Sequence, residues 1–277
     1  MPTHEDIIHD ILAKKELSGI EHSFVEAVLG KELRKDPKLA RRLETLSTRS
    51  SAYKELIKSV RAVLRRNVGL FEGSTDPKHR ETLLAELRQS PLERREEIIN
   101  HILATHQSTR ERLPYYDQVY EEIFKHTGKP RVVLDIGCGL NPLSFPDTDA
   151  TYVGVDIDRQ LCSAVDEYFS IAGIEGECRI IDARGMEQIR SLPKADIAFV
   201  FKLLEVIEQK GHKLGELIIK ALPSQWIIVS FPIITSSGAP MRSPRRAWFE
   251  KMLGRLKYKY GIFKVPNEIF YVLRKSP

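Results

Sequence analysis

Apolar side chains recur at helical spacing through residues 1–127: Ile7, Ile8, Ile11 and Leu12 form one stripe, and Leu56, Ile57, Val60 and Leu64 another. Such stripes predict amphipathic helices that bury one face. Polar punctuation marks where helices start. Asp36-Pro37 and Asp76-Pro77 each place a capping side chain before a proline suited to the first helical turn. Ser90-Pro91-Leu92-Glu93 and Ser108-Thr109-Arg110-Glu111 have the serine-to-acid spacing of a capping box. After Gly128-Lys129-Pro130 the period changes. Short apolar runs at 131–137, 151–157, 178–183, 195–201, 226–232 and 269–275 predict strands, with helical patterns at 159–173 and 213–223. Strands separated by helices imply a mainly parallel, doubly wound sheet with helices on both faces. The expected architecture is α/β: an all-helical N-terminal domain, residues 1–105, joined to a Rossmann-like domain, residues 106–277.

Charge adds a partner to this picture. The net charge is +5, but residues 34–66 and 241–277 each carry +8 while residues 131–232 carry −5. On the second helical stripe, Lys58, Arg61 and Arg65 fall on a different face from the apolar residues. Two basic blocks around an acidic centre imply a polyanion-binding surface beside a separate small-molecule pocket. The chain of 277 residues is 42% hydrophobic, enough to bury a core. It has no apolar run of membrane-spanning length, and its N-terminus has acids where a leader peptide would be apolar. Cys138, Cys162 and Cys178 are odd in number and lack metal-ligand spacing, which argues against a disulfide framework and a zinc site. The expectation is a metal-free, monomeric protein of the cytoplasm that does not engage membranes.

The first strand runs into a turn, Asp135-Ile136-Gly137-Cys138-Gly139, whose two glycines let a ligand approach the main chain. A dinucleotide site would carry a third glycine opening a helix toward a pyrophosphate. Here that place is taken by Leu140-Asn141-Pro142-Leu143, and Asp135 would repel a diphosphate. A P-loop ending in Gly-Lys-Ser/Thr is absent as well. The turn suits a ligand without phosphates and with a positive charge, which describes S-adenosylmethionine. Asp156, 21 residues after Asp135, is expected at the tip of the second strand, where a carboxylate accepts both ribose hydroxyls. Asp182, at the tip of the third, is expected to reach the adenine amino group. Acids at three successive strand tips are the pattern of class I S-adenosylmethionine-dependent methyltransferases.

With these residues in place, the chain resembles the aminoglycoside-resistance 16S rRNA (guanine-N7) methyltransferases, the Arm/Rmt/Sgm or FmrO-like family. The likeness rests on THQSTRERL (105–113), LDIGCGLNPL (134–143), FKLLEVIE (201–208), VSFP (229–232), WFE (248–250) and NEIFYVL (267–273), and spans about residues 100–277. It implies methylation of a decoding-site guanine of 16S rRNA at N7, with aminoglycoside resistance as the result; between free RNA and the assembled 30S subunit, a flat, basic helical domain fits docking on folded RNA, so the subunit is the expected substrate. It also implies site roles: His106, Ser108 and Arg112 over the methionine end, Arg112 pairing with its carboxylate; Gly137, Asp156, Asp182, Ala183 and Leu203 lining the pocket; and Tyr53 closing it from the helical domain. Gln107, Asp135, Gly139 and Gln209 join the cofactor set. No general base is required, because guanine N7 already carries an exposed lone pair. Phe231, Trp248, Glu268, Lys202 and Met241 are candidates for holding the target base, with Glu268 accepting from its N1–H and amino edge. Arg34, Lys35, Lys38, Arg41, Arg42, Arg61, Arg65 and Arg66 are candidates for gripping phosphates.

One stretch departs from the family. Where a basic residue usually follows the SFP tripeptide by two positions, this chain has Ile234, and Arg242, Arg245 and Arg246 come from the loop beyond it. The departure leaves open a methyltransferase for another RNA site or a small molecule. A noncatalytic RNA-binding assembly factor is the third reading.

Overall fold

The computed structural model describes residues 2–68, 77–208, 213–235 and 238–275. Its helical region comprises α1 (His4–Leu12), α2 (His22–Lys35), α3 (Pro37–Arg42), α4 (Ser51–Val68), α5 (Pro77–Gln89), α6 (Leu92–Ala104), α7 (Gln107–Arg112) and α8 (Tyr116–Thr127). Local chemistry starts several of them. Thr3 and Asp6 form a reciprocal capping box at α1, with Asp6 N donating to Thr3 Oγ1 at 3.1 Å and Thr3 N to the Asp6 carboxylate at 2.8 Å. Asp36 accepts from the amides of Lys38 and Leu39 at 3.1 and 3.0 Å, with Pro37 in the first turn, as expected. The two serine boxes do not form. Ser90 donates back to the Glu86 carbonyl at 2.7 Å, and Pro91 begins α6 without a side-chain cap. Helix α7 starts at His106, so Ser108 lies inside it and its side chain turns into the site.

The sheet is built from β1 (Val132–Ile136), β2 (Thr151–Asp156), β3 (Gly176–Ile180), β4 (Ala195–Phe201), β5 (Ser224–Pro232), β6 (Lys259–Val265) and β7 (Glu268–Arg274), in the order β3-β2-β1-β4-β5-β7-β6. Strands β1 to β5 pair in parallel, and β7 inserts antiparallel between β5 and β6. Helices α9 (Arg159–Ala172), α10 (Met186–Arg190), α11 (Leu203–Ile207), α12 (Lys213–Ala221) and α13 (Ala247–Leu256) connect them. The order reverses direction between β1 and β4, and the crevice at their carboxyl ends is where such sheets bind ligands. Strand β6 is missing from the periodicity reading. It is an edge strand whose Lys259, Tyr260 and Lys264 remain exposed, so its apolar alternation is diluted by the lysines that blunt such edges.

The expected division at residue 105 does not coincide with the division of the cores. Ile7, Ile11, Phe24, Val28, Leu56 and Leu64 pack together in the helices before α5. Leu83, Leu87, Ile98 and Ile102 of α5 and α6 instead share the core that lies against the sheet with Val133, Tyr152 and Phe199. The N-terminal helices dock on the loop after β2. Glu21 N donates to Ile157 O at 3.1 Å, Arg159 N donates to Gly19 O at 2.9 Å, and the Arg159 and Glu21 side chains form an ion pair at 2.5 Å. A Cβ at Gly19 would sit 2.6 Å from Asp158 Oδ1, so this close approach requires glycine.

Candidate active site

The glycine turn bends over the end of β1. Gly137 and Gly139 have φ of 69° and 52°, in the left-handed region. A Cβ on either would lie 2.8 Å from a side chain, that of Leu203 for Gly137 and the ring of His106 for Gly139. The amides of Gly137 and Cys138 both donate to Val155 O, at 2.7 and 3.0 Å, which ties the turn to β2. Asp156, at the carboxyl end of β2, accepts from Gly139 N at 2.9 Å and from Asp158 N at 3.0 Å, one donor on each oxygen. Burial pushes its pKa up to about 6. Asp135 is only 1% exposed and accepts from Asn141 Nδ2 at 2.8 Å and the Tyr152 hydroxyl at 2.7 Å. Burial pushes it to about 7 despite those donors. The third acid is not at a strand tip: β3 ends at Ile180, and Asp182 follows in a turn, gripped by Arg184 at 2.6 Å. The Arg184 guanidinium in turn stacks 4.3 Å over the ring of Phe24, from the helical domain.

These groups surround a cleft of about 870 Å³, its open mouth included, at the switch point of the sheet. Asp135, Gly137, Gly139, Asp156, Asp182, Ala183 and Leu203 all line it, as do His106, Ser108 and Arg112. His106 is 5% exposed, and its pKa is lowered to about 3, first by burial and then by Arg80, Arg112 and Lys202. It is neutral at any physiological pH. Close glycine main chain, fixed carboxylates and apolar walls from Leu161, Ile181 and Phe201 fit a cationic nucleoside such as S-adenosylmethionine.

Below the cleft runs a buried polar chain. Arg112 is 1% exposed and holds Glu268 with two bonds, at 2.8 and 3.1 Å, while donating to Asn141 Oδ1 at 3.1 Å. Its guanidinium lies 4.7 Å over the Phe201 ring. Burial favours loss of the Arg112 charge, but Glu268 more than reverses this and holds its pKa above the ordinary value. Burial likewise works against a charged Glu268, and Arg112 and Lys202 keep it below the usual range. Asn141 then links Arg112 to Asp135.

Several sequence expectations need correction. Glu268 is fully buried, paired with Arg112 and accepting from the Ser230 hydroxyl, so it is closed to a base edge. Phe231 is fully buried too, edge-on to Trp248, Phe249 and Tyr271. Trp248 is partly buried against that cluster. Tyr53 does not close the cleft; its hydroxyl donates to Asp10 at 2.7 Å inside the helical core, and Phe24 reaches the cleft instead. Gln107 faces away from it, donating to Glu111 at 2.9 Å. That pair lines a second cavity together with Lys202, Met241 and Ile234. Lys202 has a left-handed main chain, φ 54°, and pairs with Glu111 at 2.7 Å and Glu268 at 3.6 Å.

Among the expected phosphate contacts, Arg34, Lys35, Lys38, Arg41 and Arg42 stand exposed along α2 and α3. Arg61 turns inward and donates to the carbonyls of Asp10 and Ile11 near the end of α1, so it serves the helical domain itself. Arg65 pairs with Glu16 at 2.6 Å. Arg242 is exposed, and Arg245 makes two bonds to Glu250 at 2.7 and 2.8 Å. Arg246 is buried, pairs with Glu205, donates to Pro232 O at 2.7 Å and lies 5.4 Å over Phe231. It therefore brings a cation to the end of β5 from a later loop. Gln209 and the side chain of Arg66 lie outside the described residues.

Phe24, Asn141, Tyr152 and Glu111 were not assigned roles from the sequence. Asn141 and Glu111 stand inside the quoted segments 134–143 and 105–113, which was the available signal; Phe24 is one of several apolar residues on its helix and carries none.

The chain is similar to several known proteins. The ribosomal RNA methyltransferase (FmrO) family matches residues 47–272. A 16S rRNA (guanine(1405)-N(7))-methyltransferase of Proteus mirabilis is 30% identical over 295 aligned positions, covering 99% of this chain and 100% of that protein. A protein of the same name from Frankia casuarinae is 29% identical over 183 residues, and the match spans 64% of its length, less than two thirds. Among solved structures, the 16S rRNA methylase RmtB superposes with a TM-score of 0.76 over 100% of both chains at 23% identity. RmtF, crystallised with S-adenosyl-L-homocysteine, gives 0.77 over 98% of both at 24%. These superpositions show a common fold, an α/β methyltransferase sheet with a helical N-terminal region. With the family match running from the helical region into β7, the chain belongs to the ribosomal RNA methyltransferase (FmrO) family.

Proposed function

We propose that this protein is an S-adenosylmethionine-dependent methyltransferase that modifies N7 of a decoding-region guanine in 16S rRNA, in the assembled 30S subunit, and so confers aminoglycoside resistance. What carries this is the Asp156 carboxylate, fixed by two main-chain amides at the carboxyl end of β2 beside the glycine turn. Each of its oxygens keeps a lone pair, a match for vicinal ribose hydroxyls. Ala183 and Leu203 offer apolar walls to an adenine, with Asp182 at its edge, while Asp135 and Arg112 present opposite charges to an amino-acid end. When bound, S-adenosylmethionine supplies an electrophilic methyl group on a sulfonium. Guanine N7 has no proton to lose, and His106, neutral with a pKa of about 3, removes none. The chain's work is positioning: holding two reactants in line in a water-poor cleft, the source of effective-molarity gains. Unstacking the base costs roughly a few kcal/mol, offset by phosphate contacts from the exposed cations of α2 and α3. The Proteus mirabilis relative supports the choice of target. The protein acts as a monomer in the cytoplasm, where ribosomes are its substrate.

The test is transfer of labelled methyl to purified 30S subunits, with free 16S rRNA beside them and reductive cleavage to map N7-methylguanine. One cleavage site in the decoding helix of the subunit is expected. Label without that cleavage would move the target elsewhere. No label on either substrate would reject the proposal.

A further inference from the structure

The cavity beside the cofactor cleft shares Ser108 with it and is bounded by Glu111, Lys202, Pro232, Thr235 and Met241. Ser108 and Glu111 stand three residues apart on α7, on one side of the helix. The polar floor is the Glu111–Lys202 ion pair. Nζ lies 2.7 Å from Oε2, and the two side chains are 31% and 4% exposed for Glu111 and Lys202 respectively. The ammonium is thus sunk while the carboxylate reaches the cavity. Gln107 Nε2 donates to the other oxygen at 2.9 Å, fixing the plane of the group. Pro232 and Met241 supply apolar surface for a flat ring. Of the two other acids near this region, Glu268 is buried with Arg112, and Glu205, 33% exposed, lines the same cavity and pairs with Arg246 through one oxygen, whereas Glu111 is fixed at both oxygens.

An ionised carboxylate is an acceptor only, so it matches a ring edge that offers two adjacent N–H donors. Of the four RNA bases, guanine alone has such an edge, in N1–H and its 2-amino group. Adenine would turn the N1 lone pair toward the carboxylate, cytosine the N3 lone pair, and uracil its two carbonyls. Resting on the proposed function, we infer that Glu111 is the specificity-determining residue of the target cavity, accepting from N1–H and the 2-amino group of the guanine to be methylated. Burial works against its charge, but Lys202 and Gln107 hold its pKa below the usual range, so it presents lone pairs and not a proton throughout the neutral range. The role expected of Glu268 passes to a residue on another element.

The experiment compares methylation of 30S subunits carrying guanosine or inosine at the target, by the native protein and by Glu111→Gln. Inosine keeps N7 and N1–H and lacks only the 2-amino group. The native protein is expected to lose roughly 10- to 100-fold in kcat/KM on inosine, the value of a hydrogen bond to a charged group. Glu111→Gln is expected to lose a similar factor on guanosine and little more on inosine, with S-adenosylmethionine binding by calorimetry unchanged. Equal native rates on the two subunits, or full activity of Glu111→Gln on guanosine, would overturn the inference. The native comparison needs no variant, so a Glu111→Gln protein that melts early leaves the test intact. Native protein that methylates neither subunit would reject the proposed function itself.

Discussion

At the carboxyl ends of β1 and β2, Asp135 and Asp156 are held by Asn141, Tyr152 and the amides of Gly139 and Asp158, with little solvent around them. Along α2 and α3, Arg34, Lys38, Arg41 and Arg42 stand in solvent. The acids belong to a site where each charge has a fixed direction and a large desolvation cost. The cations belong to a surface proposed to grip RNA, where charge acts collectively through release of counterions. A single substitution in the cleft is therefore expected to matter more than one on the surface, and the two kinds of change should separate by readout.

The largest effect belongs to the buried pair under the cleft. Glu268→Ala strands the Arg112 guanidinium and is expected to cost about 3–5 kcal/mol of stability, read as a lower urea midpoint. Joining it with Arg112→Leu removes the orphaned charge and should recover much of that stability while activity stays lost. Recovered activity would show that the pair serves folding alone.

Next comes Asp156→Ala, which deletes the acceptor proposed for the ribose. S-adenosylmethionine affinity should fall roughly 100-fold or more by calorimetry, two charge-assisted hydrogen bonds being lost. An unchanged affinity would place the cofactor elsewhere in the cleft.

Asp135 gives a pH signature. Its folded pKa of about 7 lies above the ordinary 3.8, so the folded, ligand-free protein binds a proton that the unfolded chain has released. Stability from this group is therefore lost as pH rises from about 4 to 7 and does not return above that range. Asp135→Asn should thus melt progressively higher than the native protein as pH increases across that window. A cationic ligand prefers the ionised acids, so native affinity for S-adenosylmethionine should rise with pH through about 6 to 7, where Asp156 and Asp135 titrate. A flat affinity profile, with parallel melting curves, would show that neither acid senses the ligand.

The smallest effects lie on the surface. Arg41→Ala should lower the salt slope of 30S binding by roughly 0.7–0.9, the share of one phosphate contact, and leave cofactor affinity unchanged. Arg65→Ala breaks an exposed pair with Glu16 and should change stability by about 0–1 kcal/mol. A loss near that of Glu268→Ala would erase the distinction between the two regions.

Much of this was legible from local pattern. The helical stripe of Ile7, Ile8 and Ile11, the Asp36-Pro37 start and the strands carrying Asp135 and Asp156 are all marked by side-chain period or capping, patterns that span only a few residues. The serine at position 90 shows where such rules stop: its hydroxyl had a carbonyl of its own helix within reach and bonded backward instead of capping forward. Edge strand β6 was hidden for a related reason, since lysines that discourage edge pairing also blur alternation.

By itself the amino-acid order determined the parallel core of the sheet, the glycine turn, the acids beside it and the cations of the helical region. Each depends on main-chain preference, side-chain period or composition. The tertiary structure alone decided which charges meet. Arg112 and Glu268 are 156 residues apart and pair because β7 inserts beside β5 in a register that sets Glu268 opposite Pro232. Phe24 reaches the cleft, and Tyr53 does not, because the N-terminal helices dock through Gly19 to Glu21 on the loop after β2. A buried charge must find a partner or forgo ionisation, and which partner is near is set by how distant elements pack.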